Sequence, residues 1–194
     1  MIKFKVVVAG AKNVGKTSLI RRYATGKFEK STLSTIGVDF ETKKVVVDDT
    51  EILLNIWDFA GEKKFRLLFP SYVSGASGAL MLYDVTNKES LDDLYDWINV
   101  ISSVPNSPKT KILIEAKCDL NRKVKMEDVK NLFEKHKFQG EILSTSAKTG
   151  ENVEKAFEML GREILKNSLK KCPNCEKHYP VELKFCQYCG FKAS

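Results

Sequence analysis

The chain alternates between short apolar runs and longer segments in which apolar residues return every three or four positions. Lys5 to Ala9 reads KVVVA, Gly78 to Val85 reads GALMLYDV and Lys111 to Ala116 reads KILIEA. Near-continuous apolar runs of this kind suit parallel strands covered on both faces. Val38 to Val47 and Ile52 to Trp57 flank the turn-prone Asp48-Asp49-Thr50, which predicts an antiparallel hairpin, and Ile142-Leu143 predicts a short last strand. Helical spacing runs through Lys16 to Ala24 (Leu19, Ile20, Tyr23) and Glu89 to Ile101 (Leu91, Leu94, Trp97, Ile98, Ile101). It returns in Met126 to His136 (Val129, Leu132, Phe133) and Glu151 to Lys170 (Val153, Phe157, Leu160, Ile164), and Lys166 to Lys171 is expected to continue that last helix. Lys27 to Ile36 has no clear period and reads as a loop. Strands and helices that alternate in this way predict an α/β fold, a mostly parallel sheet with helices on both faces, with ligands at the carboxyl ends of the strands.

Four polar clusters fall where that rule puts a ligand, each after an apolar run: Gly10 to Thr17, Asp58-Phe59-Ala60-Gly61, Lys117-Cys118-Asp119 and Ser146-Ala147-Lys148. The first, Gly10-Ala11-Lys12-Asn13-Val14-Gly15-Lys16-Thr17, followed by Ser18, fits G-x-x-x-x-G-K-[ST], a phosphate-binding loop. Its glycines let the backbone curl so that successive N–H groups face phosphate oxygens, and the helix that follows adds its positive dipole end. Lys16 then reaches the outer phosphates, and the Thr17 hydroxyl can ligate magnesium.

Composition adds limits. The 194 residues are 43% apolar and 29% charged, enough for one well-buried domain and a small appendage, as in a soluble globular protein. The longest apolar runs are too short to span a bilayer, and Met1-Ile2-Lys3-Phe4-Lys5 leaves no room for a secretory signal before the first strand, so a cytoplasmic protein is expected. The formal charge of +7 is scattered through helices and reads as a solvated surface rather than a nucleic-acid track.

The motifs together resemble those of Ras-superfamily small GTPases, Rab in particular, over about residues 3–168. The Rab-like pieces are Ser34-Thr35-Ile36-Gly37-Val38-Asp39-Phe40, Trp57-Asp58, Tyr83-Asp84-Val85-Thr86-Asn87 and Thr145 to Val153. The resemblance implies a P-loop NTPase fold with a six-stranded sheet, GTP and GDP as ligands with Mg²⁺, and a role as a signalling switch in vesicle trafficking. It implies that Thr35 ligates Mg²⁺ through its hydroxyl and meets the γ-phosphate through its N–H, only in the triphosphate state. Asp58 would hold the metal through water, and the Gly61 N–H would contact the γ-phosphate; loss of that phosphate releases both loops. Asp119 would accept from the ring N–H and exocyclic amine of guanine, a pair of donors that adenine does not offer. Lys117 would cover the base with its stem, and the Ala147 N–H would meet the guanine oxygen. Leu120, Ser146 and Lys148 complete that side. Phe28 would pack edge-on against the base, or serve only as core. Phe40, Trp57 and Tyr72 match the Rab aromatic triad of the effector surface, although sheet packing explains aromatics there equally well. Effectors, an exchange factor and an activating protein are the implied partners.

Departures from the family pattern bear on activity. Ala116 stands where the family has an asparagine, so neither a base hydrogen bond nor a tether to the phosphate loop can come from that side chain. Glu62 replaces the catalytic glutamine; a carboxylate accepts from water but cannot donate unless protonated, and it adds charge beside a triphosphate. Slow hydrolysis is expected, with Lys16, Thr35, Gly61 and Glu62 as the catalytic set; alternatively Glu62 points to solvent and another group orients water. Lys12 can approach the γ-phosphate, obstruct an activating arginine, or remain solvated. Thr32 stands where a tyrosine often closes over the nucleotide.

The last stretch, taken as a domain of residues 171–194 after a GTPase domain of 1–170, carries Cys172-Pro173-Asn174-Cys175 and Cys186-Gln187-Tyr188-Cys189, two C-x-x-C pairs ten residues apart. Four thiolates around Zn²⁺ make a closed tetrahedral structural site, a short zinc ribbon. Redox pairs or iron are the competing readings, and His178 is a spare ligand. With Cys118 alone in a loop, no C-a-a-X box and no myristoylation signal, no lipid anchor is expected. A protein partner would then recruit the ribbon, peripherally at a membrane, through Tyr179, Phe185, Tyr188 and Phe191. Nucleic-acid binding through Lys170, Lys171, Lys177, Lys184 and Lys192 is the rival reading.

Overall fold

The computed structural model describes residues 2–29, 35, 37–61, 69–136, 138 and 140–192. The main sheet has the order β2-β3-β1-β4-β5-β6, built from β1 (Ile2–Gly10), β2 (Val38–Val47), β3 (Thr50–Phe59), β4 (Gly78–Asp84), β5 (Thr110–Ala116) and β6 (Glu141–Thr145). All pairings are parallel except β2 with β3, the expected hairpin. The central strands read as continuous apolar runs because helices cover both faces, and β4 is buried at every position.

Alternation along each strand sorts side chains into two cores. Val6, Val8, Leu80, Leu82, Ile112 and Ile114 face α1 (Lys16–Thr25) and α5 (Val153–Ser168), where Tyr23 and Phe157 stack at 3.9 Å between centroids. Val7, Ala9, Met81, Tyr83 and Leu113 face α2 (Phe69–Val73), α3 (Lys88–Ser103) and α4 (Met126–His136), with Trp97 edge-on to Phe69. Asn87 caps α3 by accepting from the Glu89 N–H, which sets that helix's start one residue ahead of the expected Glu89.

The last helix stops at Ser168 rather than at Lys170. Residues Leu169–Lys171 form β7, which pairs antiparallel with β8 (His178–Pro180). Lys170 and Lys171 are therefore strand residues, and the boundary expected after 170 falls inside β7. Leu169 still packs against the α5 core, and the Val181 N–H donates to the Ser168 carbonyl, so the cysteine-bearing hairpin follows the helix without an intervening linker. Among the described residues no helix is long and apolar enough to cross a membrane.

Candidate functional site

The four polar clusters converge on a cavity of about 640 Å³ at the carboxyl ends of β1, β3, β5 and β6. One wall is the phosphate loop. Gly15 takes φ 103°, open to glycine at little cost, and starts α1 without any side-chain cap, leaving the first helical N–H groups to face the cavity. Lys12, Asn13, Val14, Gly15, Lys16, Thr17 and Ser18 all line this wall. Lys16 is buried, and its Nζ donates to the carbonyls of Gly10 and Ala11 at 2.9 and 2.8 Å. Burial pushes its pKa down to about 8 against the pull of Asp58 and Asp93, a deficit that an anion in the cavity would reverse.

Three oxygen-bearing side chains from separate segments meet beside Lys16. The Thr17 and Thr35 hydroxyls lie 2.7 Å apart, Thr17 donates to Asp58 Oδ2, and Thr35 reaches the same oxygen at 3.4 Å. Asp58 is buried, and its Oδ1 has no hydrogen-bond partner among the described residues. Burial drives the Asp58 carboxyl upward, although Thr17, Lys16 and Thr35 favour its ionised form. An all-oxygen donor set with one unsatisfied buried carboxylate oxygen fits a hard divalent cation such as Mg²⁺. Gly61 closes the wall: a Cβ there would lie 2.5 Å from the Ala11 carbonyl and the Lys12 nitrogen, so only glycine lets the end of β3 come this close to the loop.

The opposite wall holds Phe28, Lys117, Asp119, Leu120, Ala147 and Lys148. Ser146, fully buried, stands behind this wall and donates to Asp119 Oδ1 at 2.6 Å, fixing the carboxylate; Lys148 Nζ lies 4.0 Å from Oδ2. Lys117 donates to the Asn13 carbonyl at 2.8 Å and to Asp84 at 2.6 Å. The phosphate loop is thus tethered by Lys117, the neighbour of Ala116, whose own side chain offers no hydrogen bond. Burial would raise Asp84, but hydrogen bonds from Lys117 and Thr86 prevail and hold it below the usual carboxylate range. Ala116 itself is buried and lines the cavity with a methyl group. Glu62 and Thr32 lie outside the described residues, as do Ser34 and Ile36.

Phe40, Trp57 and Tyr72 form a connected row, with centroids 6.2 and 5.9 Å apart and Lys5 Nζ 4.9 Å from the Trp57 ring. Phe40 is 68% exposed, whereas Trp57 and Tyr72 are half-buried and pack against the core, so the row runs from the surface into the sheet.

At the far end, the sulfurs of Cys172, Cys175, Cys186 and Cys189 lie within 4.8 Å of one another. Cys172 to Cys189 measures 3.6 Å and Cys175 to Cys186 3.7 Å. A tetrahedron of Zn–S bonds has edges of about 3.8 Å, whereas a disulfide needs about 2.05 Å. The cluster is compatible with zinc and does not include His178. Tyr179 is 1% exposed, packed against the cysteines under Lys170 Nζ. It belongs to the ribbon's core, contrary to its expected place on the surface; Phe185, Tyr188 and Phe191 are exposed as expected.

A family model described as Ras family matches residues 5–166. The chain belongs to the Ras family. Relatives of this Ras-family chain include the Ras-related protein RABA5c of Arabidopsis thaliana, 37% identical over 177 residues, covering 90% of the chain and 82% of the relative. Rab-1 of Theileria parva is 40% identical over 174 residues, with 88% and 78% covered, and Rab-13 of Rattus norvegicus is 34% identical over 184, with 93% and 90% covered. Family membership makes it a Rab-like small GTPase, a GTP-binding molecular switch. Sequence reasoning missed Asp84, which holds Lys117, and Phe59 and Thr145, which line the cavity. It also passed over Glu115, a buried acid near the end of an apolar strand; that single charge in an apolar run was the available signal.

Proposed function

We propose that this Ras-family switch holds GTP or GDP with Mg²⁺ in the cavity and hydrolyses GTP slowly. The observation that carries the reading is the convergence on one cavity of a buried Lys16, the Thr17–Thr35–Asp58 oxygen cluster and a fixed Asp119 carboxylate. Asp119 reads guanine with its two oxygens, beside Lys117, Leu120 and the Ala147 N–H, while Phe28 borders the base side. Lys16 and the loop N–H groups from Asn13 to Ser18 hold the phosphates, with Lys12 at their outer edge. Thr17, Thr35 and Asp58 would hold Mg²⁺, which when bound neutralises charge on the phosphate oxygens. Thr35 and Gly61, which line the cavity, would sense a third phosphate, so that its loss would release both segments. Glu62, at the sequence position of the family's glutamine, would accept a hydrogen bond from water but donate none unless protonated, which would slow hydrolysis.

Effectors would dock on Phe40, Trp57 and Tyr72, with an exchange factor and an activating protein acting on the same switches. The chain would comprise two units, a nucleotide-binding domain ending in α5 and a zinc ribbon beginning with β7. The ribbon, with Zn²⁺ on Cys172, Cys175, Cys186 and Cys189, would bring the protein from the cytoplasm to a membrane-bound protein partner in vesicle traffic. A second reading, a nucleotide-regulated interaction protein without hydrolysis, is favoured by the apolar Ala116 in the cavity wall.

Single-turnover conversion of bound GTP, followed by chromatography over hours, tests the hydrolytic reading. GDP should appear at a slow rate that Lys16→Ala abolishes and Glu62→Gln raises. Retained GTP without turnover would favour the second reading, and equal rates for Glu62→Gln, Glu62→Ala and the natural protein would remove Glu62 from the mechanism.

A further inference from the structure

Glu115 is 4% exposed near the end of β5, a place where an unpaired carboxylate would be costly. Strand register places it in one row with Tyr83 on β4 and Ser144 on β6. The Tyr83 and Ser144 hydroxyls both donate to its carboxylate, one to each oxygen. Arg122 adds a bidentate pair, NH1 to Oε1 at 3.0 Å and NH2 to Oε2 at 2.8 Å. Burial alone would raise the Glu115 carboxyl, but the hydrogen bonds from Arg122, Ser144 and Tyr83 prevail and hold it below the ordinary value of 4.5. The group is therefore ionised and fully satisfied.

Its location gives the cluster a purpose beyond packing. Lys117 to Arg122 is the loop that carries Asp119. Its near end is held by Lys117 on Asp84 and Asn13, and its turn is closed by the Leu120 N–H on the Lys117 carbonyl. Its far end is Arg122, and beyond it the Lys123 and Val124 N–H groups both meet the Val85 carbonyl. Ala116, at the root of the loop, contributes a methyl group and no hydrogen bond from its side chain. The remaining side-chain anchor at the far end is the charged fork of Arg122 on Glu115, which reaches the loop from the opposite face of β5. A planar bidentate pair fixes orientation as well as distance.

We infer that Glu115 and Arg122, with Tyr83 and Ser144, are positioning residues that hold the far end of the loop while Ser146 holds the Asp119 carboxylate directly, and that both anchors are needed to set Asp119 against the edge of the base. The inference rests on the proposed guanine reading and concerns residues that do not touch the nucleotide.

The test compares GDP with inosine diphosphate, which keeps the ring N–H but lacks the exocyclic amine, by competition on the full-length protein. The natural protein should prefer GDP by roughly tenfold or more, the worth of one hydrogen bond to a charged acceptor. Replacing both charges in Glu115→Gln with Arg122→Gln leaves no orphan charge in the core, and the preference should fall to within about threefold. Arg122→Lys, which keeps the charge without the fork, should lie between. Ser144→Ala, which removes one donor only, should show a smaller fall in the same ratio and serves if the double variant does not fold. A merely structural cluster would lower both affinities by the same factor, and an unchanged ratio in the variants overturns the inference while leaving the guanine reading intact. No preference for GDP in the natural protein would mean that Asp119 does not hold the exocyclic amine and would overturn this inference, while the guanine reading itself falls only if ADP binds as well as GDP.

Discussion

Gly61 shows how much one missing methyl group decides. The built Cβ position lies 2.5 Å from backbone atoms of Ala11 and Lys12, which cannot swing aside as a side chain would. Gly61→Ala must therefore lift the end of β3 off the phosphate loop, at a cost of about 1–3 kcal/mol. If Gly61 meets the third phosphate, as proposed, the variant should lose roughly tenfold in affinity for GTP relative to GDP. Competition titrations with both nucleotides check this; equal losses would mean that the methyl group disturbs the loop as a whole. Gly61 was legible in the sequence because its motif sits at a strand end. Glu115 and Arg122 were not, since their pairing depends on the register that sets Tyr83, Glu115 and Ser144 side by side, and no local spacing encodes register.

At the scale of elements, apolar runs recovered the central strands because helices cover both their faces, and the turn at Asp48-Asp49-Thr50 recovered the hairpin. Helical periodicity recovered four helices because each buries one apolar stripe. It failed where another constraint overrode it. The short helix Phe69–Val73 is too brief to show a period. Leu169, Lys170 and Lys171 suit a helix in isolation, yet the hairpin around the cysteines takes them as a strand. A segment this small would hold itself together mainly through a bound metal, which would supply about 10 kcal/mol or more of folding free energy. Zinc removal by a strong chelator should release one Zn²⁺ per chain and expose the thiols of Cys172, Cys175, Cys186 and Cys189 to alkylation. Cys118 should remain slow throughout, because burial, then Glu151, pushes its thiol up to about 11. Nucleotide binding should survive. Alkylation of all four cysteines at equal rates before and after chelation would refute a zinc site.

That independence follows from the arrangement of the whole molecule. Asn167, near the end of α5, donates to Thr110 at the start of β5, so the ribbon grows from the amino ends of the parallel strands. The cavity opens at their carboxyl ends. The cavity thus lies at one pole and the cysteine cluster at the other, and the two are joined by α5 without a flexible linker. The general plan was legible from strand-helix alternation and four motifs in register; the direct join of ribbon to helix was not, because it depends on Leu169 packing back into the core. The proposed switch depends on the identity of the ligand in the cavity. The measurement that reaches it most directly is calorimetric titration of nucleotide-free protein with GDP and with ADP in the presence of magnesium. The account predicts one GDP bound per chain, no comparable binding of ADP, and loss of GDP binding in Asp119→Ala. Equal affinity for the two nucleotides, or no binding of GDP, would contradict it.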